Sequence, residues 1–365
     1  MSDRFLVSAV GAVIAVDSAS RGGSFQRRAR DAWSDALIDG EADEDAVVTV
    51  RDTVSDDEAL SLLSTDITLA ALSHRQGDQL WMLHAAGLAE ESGRVVVLSA
   101  ASGTGKTTAA RHLSRDYAYV SDETIAIDGT GAVLPYRKPL SIIDPQAAHK
   151  VQTALSSIDG GRALPASLRV AKIVVLDRSP DGPLEPVLEE LDTATALELL
   201  APQTSYLAHI PEPLQLIDAL LTATGGAVRL RYREISTVDA AIGTLIATEP
   251  AAVSRISPVG AANTAPAIAP REGGFARADA VDALDLRDGR LAVLRRSREG
   301  GLVSILDGIG PAIWGAANAT GLDEIVRAVV AAHGTPDRVD AAQAVASAAQ
   351  HLVDEGLLQR FPAQA

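Results

Sequence analysis

The chain has 365 residues, 47% of them hydrophobic and only 3% aromatic, which suits an aliphatic core spread over two or three domains. A formal net charge of −16 gives no footprint for nucleic acid or for an anionic membrane surface. Cysteine is absent, which excludes disulfides, thiolate zinc sites and cysteine nucleophiles.

Residues 6–16 form an apolar run near the start. Asp3 and Arg4 cancel in front of it and Asp17 ends it, so it lacks the basic flank and small-residue cleavage site of a secretory signal. Residues 5–17 instead predict a strand pair turning at Gly11. Acidic stretches such as residues 41–45 follow, and 1–75 reads as a small α+β region. No stretch is long and apolar enough to span a membrane. With the nucleotide loop described next, this points to the cytoplasm.

From 76 to 246 strand-like and helix-like runs alternate. Residues 94–99 (Arg-Val-Val-Val-Leu-Ser) suit a buried parallel strand. Residues 100–108 (Ala-Ala-Ser-Gly-Thr-Gly-Lys-Thr-Thr) follow at once, and a helical pattern runs over 106–113. Strand, glycine loop and helix in that order are the context of a phosphate-binding loop. Gly103 and Gly105 let backbone N–H groups turn inward, and the helix N-terminus adds partial positive charge. Ser102, Gly103, Thr104, Gly105, Lys106, Thr107 and Thr108 are therefore the predicted contacts to ATP. Lys106 would reach the β- and γ-phosphates, and Thr107 would ligate Mg2+. Ala100 stands where the motif has its first glycine, and alanine fits there if its φ is negative.

Phosphoryl transfer to a hydroxyl also needs a base and a carboxylate for the metal. Asp122 and Glu123 follow a strand-like run at 117–120, where they would face the γ-phosphate. Asp177, ending the strongest strand pattern at 170–176, competes with Asp122 on spacing alone. His84, within Trp81-Met82-Leu83-His84-Ala85-Ala86-Gly87, reads by itself as a satisfied core histidine.

The order of His84, the loop 100–108, Tyr119-Val120-Ser121-Asp122-Glu123 and Leu134-Pro135-Tyr136-Arg137-Lys138-Pro139-Leu140-Ser141 resembles the HPr kinase/phosphorylase-related kinases. The loop is also similar to that of the phosphoenolpyruvate carboxykinases. The resemblance covers roughly 75–245 and implies an α/β core around the loop. It makes His84 an active-site residue and Asp122 the base that takes the acceptor's proton. Glu123 stands for the second acid of a metal-binding pair, and Arg137 for a cation on phosphate or acceptor. Asp177 becomes the end of a later strand. The resembled kinases also imply a homo-oligomer.

Residues 247–273 are rich in Pro, Ala, Ser, Asn and Gly, with Pro250, Pro258, Pro266 and Pro270, and read as an extended tether. Beyond it, 274–362 predicts strands at 280–284, 291–295 and 302–306, with a hairpin turn at Glu299-Gly300-Gly301. Helices follow at 309–317, 322–332 and 339–355, with Gly356 as a stop. Trp314 reads as core. A winged helix on DNA is the bland alternative, raised by Arg290, Arg295, Arg296 and Arg298, but the helices are neutral or acidic. Leu302-Val303-Ser304-Ile305-Leu306-Asp307-Gly308-Ile309-Gly310-Pro311-Ala312-Ile313-Trp314 and Leu352-Val353-Asp354-Glu355-Gly356-Leu357-Leu358 resemble the PqqD-like peptide recognition elements. The resemblance implies that the leader of a ribosomally synthesised precursor peptide adds a strand to an open edge beside the last helix.

The fold expected is thus multidomain, α/β and α+β, with an HPr-kinase-like core and a winged-helix-like last domain. Two functions follow. One is a kinase acting on a Ser or Thr hydroxyl of the captured peptide. The other, favoured by Ala100 and Glu123, is a nucleotide-binding escort that delivers the peptide to partner maturation enzymes. A small-molecule kinase with an incidental peptide-binding tail is a third.

Overall fold

The structure is a computed structural model that describes residues 3–101, 103–146, 148–159, 161–249, 272–298, 300–335 and 340–361. The chain is mixed α/β and divides into two compact units. One comprises Met1–Pro211 and Leu216–Ser254, the other Glu212–Gln215 and Arg255–Ala365. The tether read over 247–273 falls mostly on 250–271, outside the described residues. Among the described residues no helix is long and apolar enough to cross a membrane.

The first unit opens with the expected hairpin. Strands β1 (Arg4–Ala9) and β2 (Ala12–Asp17) pair antiparallel around Gly11, at φ 75°. Alternation sends Phe5, Val7 and Ala9 into the core, which is why this apolar run is stable inside a folded sheet. Helix α1 (Gly23–Ala32) follows, then strand β3 (Ala46–Thr49), parallel to β2, and helix α2 (Asp56–His74). Ser55 caps α2 by accepting from the Glu58 N–H, and Asp56, Asp57 and Glu58 complement the helix dipole. Phe25, Trp33, Leu63 and Ile67 of this region share one core with Leu80, Met82 and Tyr136.

The remaining elements before the second unit's main part run in this order: β4 (Leu80–Leu83), β5 (Ala85–Ala89), β6 (Arg94–Ser99), α3 (Lys106–Leu113), β7 (Ala118–Ser121), β8 (Ile125–Asp128), β9 (Val133–Leu134), β10 (Leu140–Ile142), β11 (Val151–Thr153), α4 (Ser156–Asp159), β12 (Arg169–Arg178), β13 (Val187–Leu191), α5 (Thr193–Leu200), α6 (Pro213–Ala223, whose residues from Leu216 onward belong to the first unit), β14 (Ala227–Tyr232) and α7 (Asp239–Ala247). A six-stranded sheet has the order β13-β14-β12-β6-β5-β7. Strand β6 is parallel to β12, as its β-branched run predicts, but antiparallel to β5 on its other side. Strand β5 is in turn antiparallel to β7. Strands β6 and β7 therefore point the same way with β5 reversed between them. The end of β6, the end of β7 and the start of β5 meet at one end of the sheet, in the register Ala85↔Ser99 and Gly87↔Ser121.

The second unit contains β15 (Phe275–Arg277), β16 (Asp282–Asp285), β17 (Leu291–Ser297), β18 (Gly300–Leu306), α8 (Gly310–Ala316), β19 (Asn318–Thr320), α9 (Leu322–His333), α10 (Ala341–Asp354) and β20 (Leu358–Arg360). The three expected strands form the meander β16-β17-β18, and the three expected helices are present. Of the hairpin turn, Glu299 lies outside the described residues, as does Val339, the first residue of the last expected helix. A further sheet, β19-β15-β20, is made of three-residue strands. Val293, Ile313, Ile325, Val345 and Leu357 build an aliphatic core. Trp314 belongs to it, with the Arg277 guanidinium 4.9 Å above its ring.

Candidate functional site

The loop after β6 has the geometry that its glycines predict. Gly103 and Gly105 have φ of 82° and 101°, a region open to glycine and costly for other residues. Added Cβ atoms would meet nothing within 4 Å, so backbone conformation and not space selects glycine at both positions. Ala100 stays out of the left-handed region, and its methyl is buried in the core under the sheet. The first turn of α3 has no side-chain cap, which leaves its N–H groups to a ligand or solvent. Ser102 lies outside the described residues.

A cavity of about 610 Å³ opens over this loop. Gly103, Gly105, Lys106, Thr107 and Thr108 line it from one side, and His84, Asp122, Glu123 and Lys138 from another. Arg111 and Lys150 complete four cations against two acids, so this cavity is locally positive in an acidic protein. Such a volume and charge suit a phosphorylated small molecule.

The acids are positioned by β7 and the turn after it. The Ser121 hydroxyl accepts from the Glu123 and Thr124 N–H groups at 3.1 and 3.2 Å, bending the chain back toward the loop. Asp122 is 4% exposed. The buried Tyr119 hydroxyl donates to Asp122 Oδ1 at 2.9 Å. Burial, then the nearby Asp122 charge, raises the Tyr119 pKa well above the tyrosine range, so it stays a proton donor. Glu123 meets His84, whose Nδ1 is 3.2 Å from Glu123 Oε1 and 2.7 Å from the Glu123 carbonyl. Burial pushes the Glu123 carboxyl up, but the hydrogen bond from His84 and the charges of Lys138 and Lys106 outweigh it and leave it below the usual range. His84 thus contacts Glu123 at the cavity, where its apolar neighbours in sequence suggest core.

Lys106 is 7% exposed and donates to the carbonyls of Ala100 at 2.6 Å and Ala101 at 3.4 Å. Burial lowers its pKa, against the raising effect of Glu123 and Asp122.

Two sequence candidates fall elsewhere. Arg137 does not line the cavity: its Nη2 lies 3.8 Å from Asp35 Oδ1. Its neighbour Lys138 lines the cavity instead, with Nζ 3.6 Å from Asp122 Oδ1 and 3.8 Å from Glu123 Oε2. In an extended segment adjacent side chains point to opposite sides, so only one of the two cations could face the acids. Buried Tyr136 and Leu140, which share the parity of Lys138, were the available signal. Asp177 is half exposed and 3.9 Å from Arg231 Nε, away from the cavity.

The donor set of Thr107, Asp122 and Glu123 is hard oxygen, which fits Mg2+. Among the described residues no group of three or more His, Asp or Glu could hold a metal by itself. Mg2+ ordinarily binds through one or two carboxylates together with phosphate oxygens, and these residues fit that mode.

In the second unit, among the described residues, β18 pairs only with β17 and presents its other edge beside α10. A groove of about 430 Å³ lies there, lined by Ile305, Leu306, Ile309, Ala348, His351 and Leu357 among others. Leu302, on the same strand, is 49% exposed. No protein-family model matches the sequence, and no curated protein gives a significant match.

Proposed function

We propose that the chain is an ATP-dependent kinase of a ribosomally synthesised precursor peptide. The convergence of the glycine loop, the Asp122–Glu123 pair and His84 at one end of the sheet carries this reading. The loop amides and Lys106 would hold the triphosphate, and Thr107 with one of the acids would hold Mg2+. Bound Mg2+ supplies charge neutralisation at the phosphate oxygens. A Ser or Thr hydroxyl oxygen attacks the γ-phosphorus, the bond to the β–γ bridging oxygen breaks, ADP leaves, and the hydroxyl proton passes to Asp122. Oδ2 is the oxygen available for that proton, because Tyr119 and Lys138 engage Oδ1.

The open edge of β18 and its groove support capture of the leader as an added strand. Joining both functions in one chain raises the effective concentration of the captured peptide at the cavity. The occupation of Asp122 Oδ1 also supports the second reading, an escort that binds nucleotide without transferring phosphate. Intact-mass analysis of a candidate precursor peptide, sought in short reading frames beside the gene, after incubation with Mg·ATP, separates the two. A phosphate added by wild type and not by Asp122→Asn supports the kinase. Tight leader binding with no mass change, even with partner enzymes present, overturns it.

A further inference from the structure

Two adjacent carboxylates, one of them almost fully buried, need a counter-charge. Lys138 supplies one. Its side chain is 3% exposed, and its Nζ lies within 4 Å of a carboxylate oxygen of both Asp122 and Glu123. The same Nζ donates to the Pro139 carbonyl at 3.2 Å, and the Tyr119 hydroxyl reaches the Lys138 carbonyl at 3.2 Å. The lysine is therefore anchored at its backbone and its head. Lys106, the other buried cation of the cavity, directs two of its three N–H donors to the carbonyls of its own loop, at 2.6 and 3.4 Å. Lys138 thus occupies the place between the two carboxylates that a bridging divalent cation would take.

We propose that Lys138 neutralises the Asp122–Glu123 pair in place of a second divalent cation, so that the site takes one metal ion per nucleotide, shared with the phosphates. The nucleotide half of this statement rests on the phosphotransfer reading. The lysine half does not.

Mn2+ alone is the first probe, followed by electron paramagnetic resonance of the free ion with the full-length chain. Without nucleotide, Lys138→Met should bind Mn2+ at least about tenfold more tightly than wild type, because two uncompensated carboxylates attract a dication. Adding Glu123→Gln to Lys138→Met should remove the gain, and Lys138→Arg should behave as wild type. Equal Mn2+ affinity in wild type and Lys138→Met overturns the proposal. The second probe is wild type with β,γ-methylene-ATP, which needs no variant to fold. One Mn2+ per bound nucleotide is expected, and two overturn the proposal. If the analogue does not bind at all, the phosphotransfer reading fails, while the nucleotide-free comparison still decides the role of Lys138.

Discussion

On the proposed reading, the cavity over the loop and the groove beside α10 would bind by opposite means. In the cavity, a few charged side chains are held against one another: Tyr119 and Lys138 on Asp122, and His84 and Lys138 on Glu123. Each group there is fixed by its neighbours, so on that reading single side chains would carry the chemistry. In the groove, the resource is the backbone of β18, flanked by apolar side chains of that strand and α10. Backbone donors and acceptors survive most substitutions, so peptide binding there would be distributed. Single changes in the cavity should therefore act steeply and on rate, and single changes in the groove gently and on affinity.

Asp122→Asn tests the steep side. It keeps the shape and the Tyr119 contact but cannot accept a proton. The transfer rate should fall by about 10²–10⁴-fold, with leader affinity unchanged. Single-turnover transfer followed by mass measures this. A near-wild-type rate would remove Asp122 as the base and with it the contrast between the regions. On the gentle side, Ile305→Asp places a charge in the groove beside α10. Leader affinity should weaken about tenfold, or roughly 1.4 kcal/mol, while the rate on an acceptor peptide without leader is preserved. Fluorescence anisotropy with a labelled leader measures the first, and the leaderless rate guards against a loss of fold.

How much of each region could be read from the sequence follows the same division between local and distant determinants. The β6–loop–α3 unit is local: a β-branched run, two glycines and a helix start stand within twenty residues. The helices of the second unit and the β17–β18 hairpin are also local patterns. The insertion of β5 between β6 and β7 is not, because no periodicity within a strand names its neighbours. That pairing is what brings His84 against Glu123. The small β19-β15-β20 sheet escaped for a related reason: its strands are three residues long and pair across distant positions such as Phe275↔Arg360. The choice between Arg137 and Lys138 turned on which way an irregular extended segment faces. Net charge says nothing at short range, since a chain at −16 encloses a cavity with more cations than acids.

The pH dependence of stability sharpens the view of the cavity as mutually supporting charges. Glu123 has a carboxyl pKa below its ordinary value of 4.5. Its contribution to stability is therefore fully present above that unfolded value and is lost as pH falls through the lower folded value. Wild type should exceed Glu123→Gln in melting temperature at neutral pH, and the gap should close in acid. The effect is roughly 1 kcal/mol or less, because about a third of this side chain is exposed and solvent screens it. A gap that is constant with pH would mean that packing, and not charge, is what the glutamate contributes.

Ala100→Gly is the smallest expected change, and it asks whether the departure from the glycine motif matters. If the alanine methyl obstructed the phosphates, restoring glycine would tighten nucleotide binding and speed transfer. The methyl instead lies in the core beneath the sheet, and the backbone there does not need positive φ. Glycine would lose that burial and gain unfolded-state freedom, lowering stability by about 1 kcal/mol without improving ATP affinity. Urea unfolding and the KM for ATP measure the two quantities. A tenfold gain in affinity would show that the methyl shapes the loop from outside the core, and would move the balance toward a chain that has given up transfer for escort.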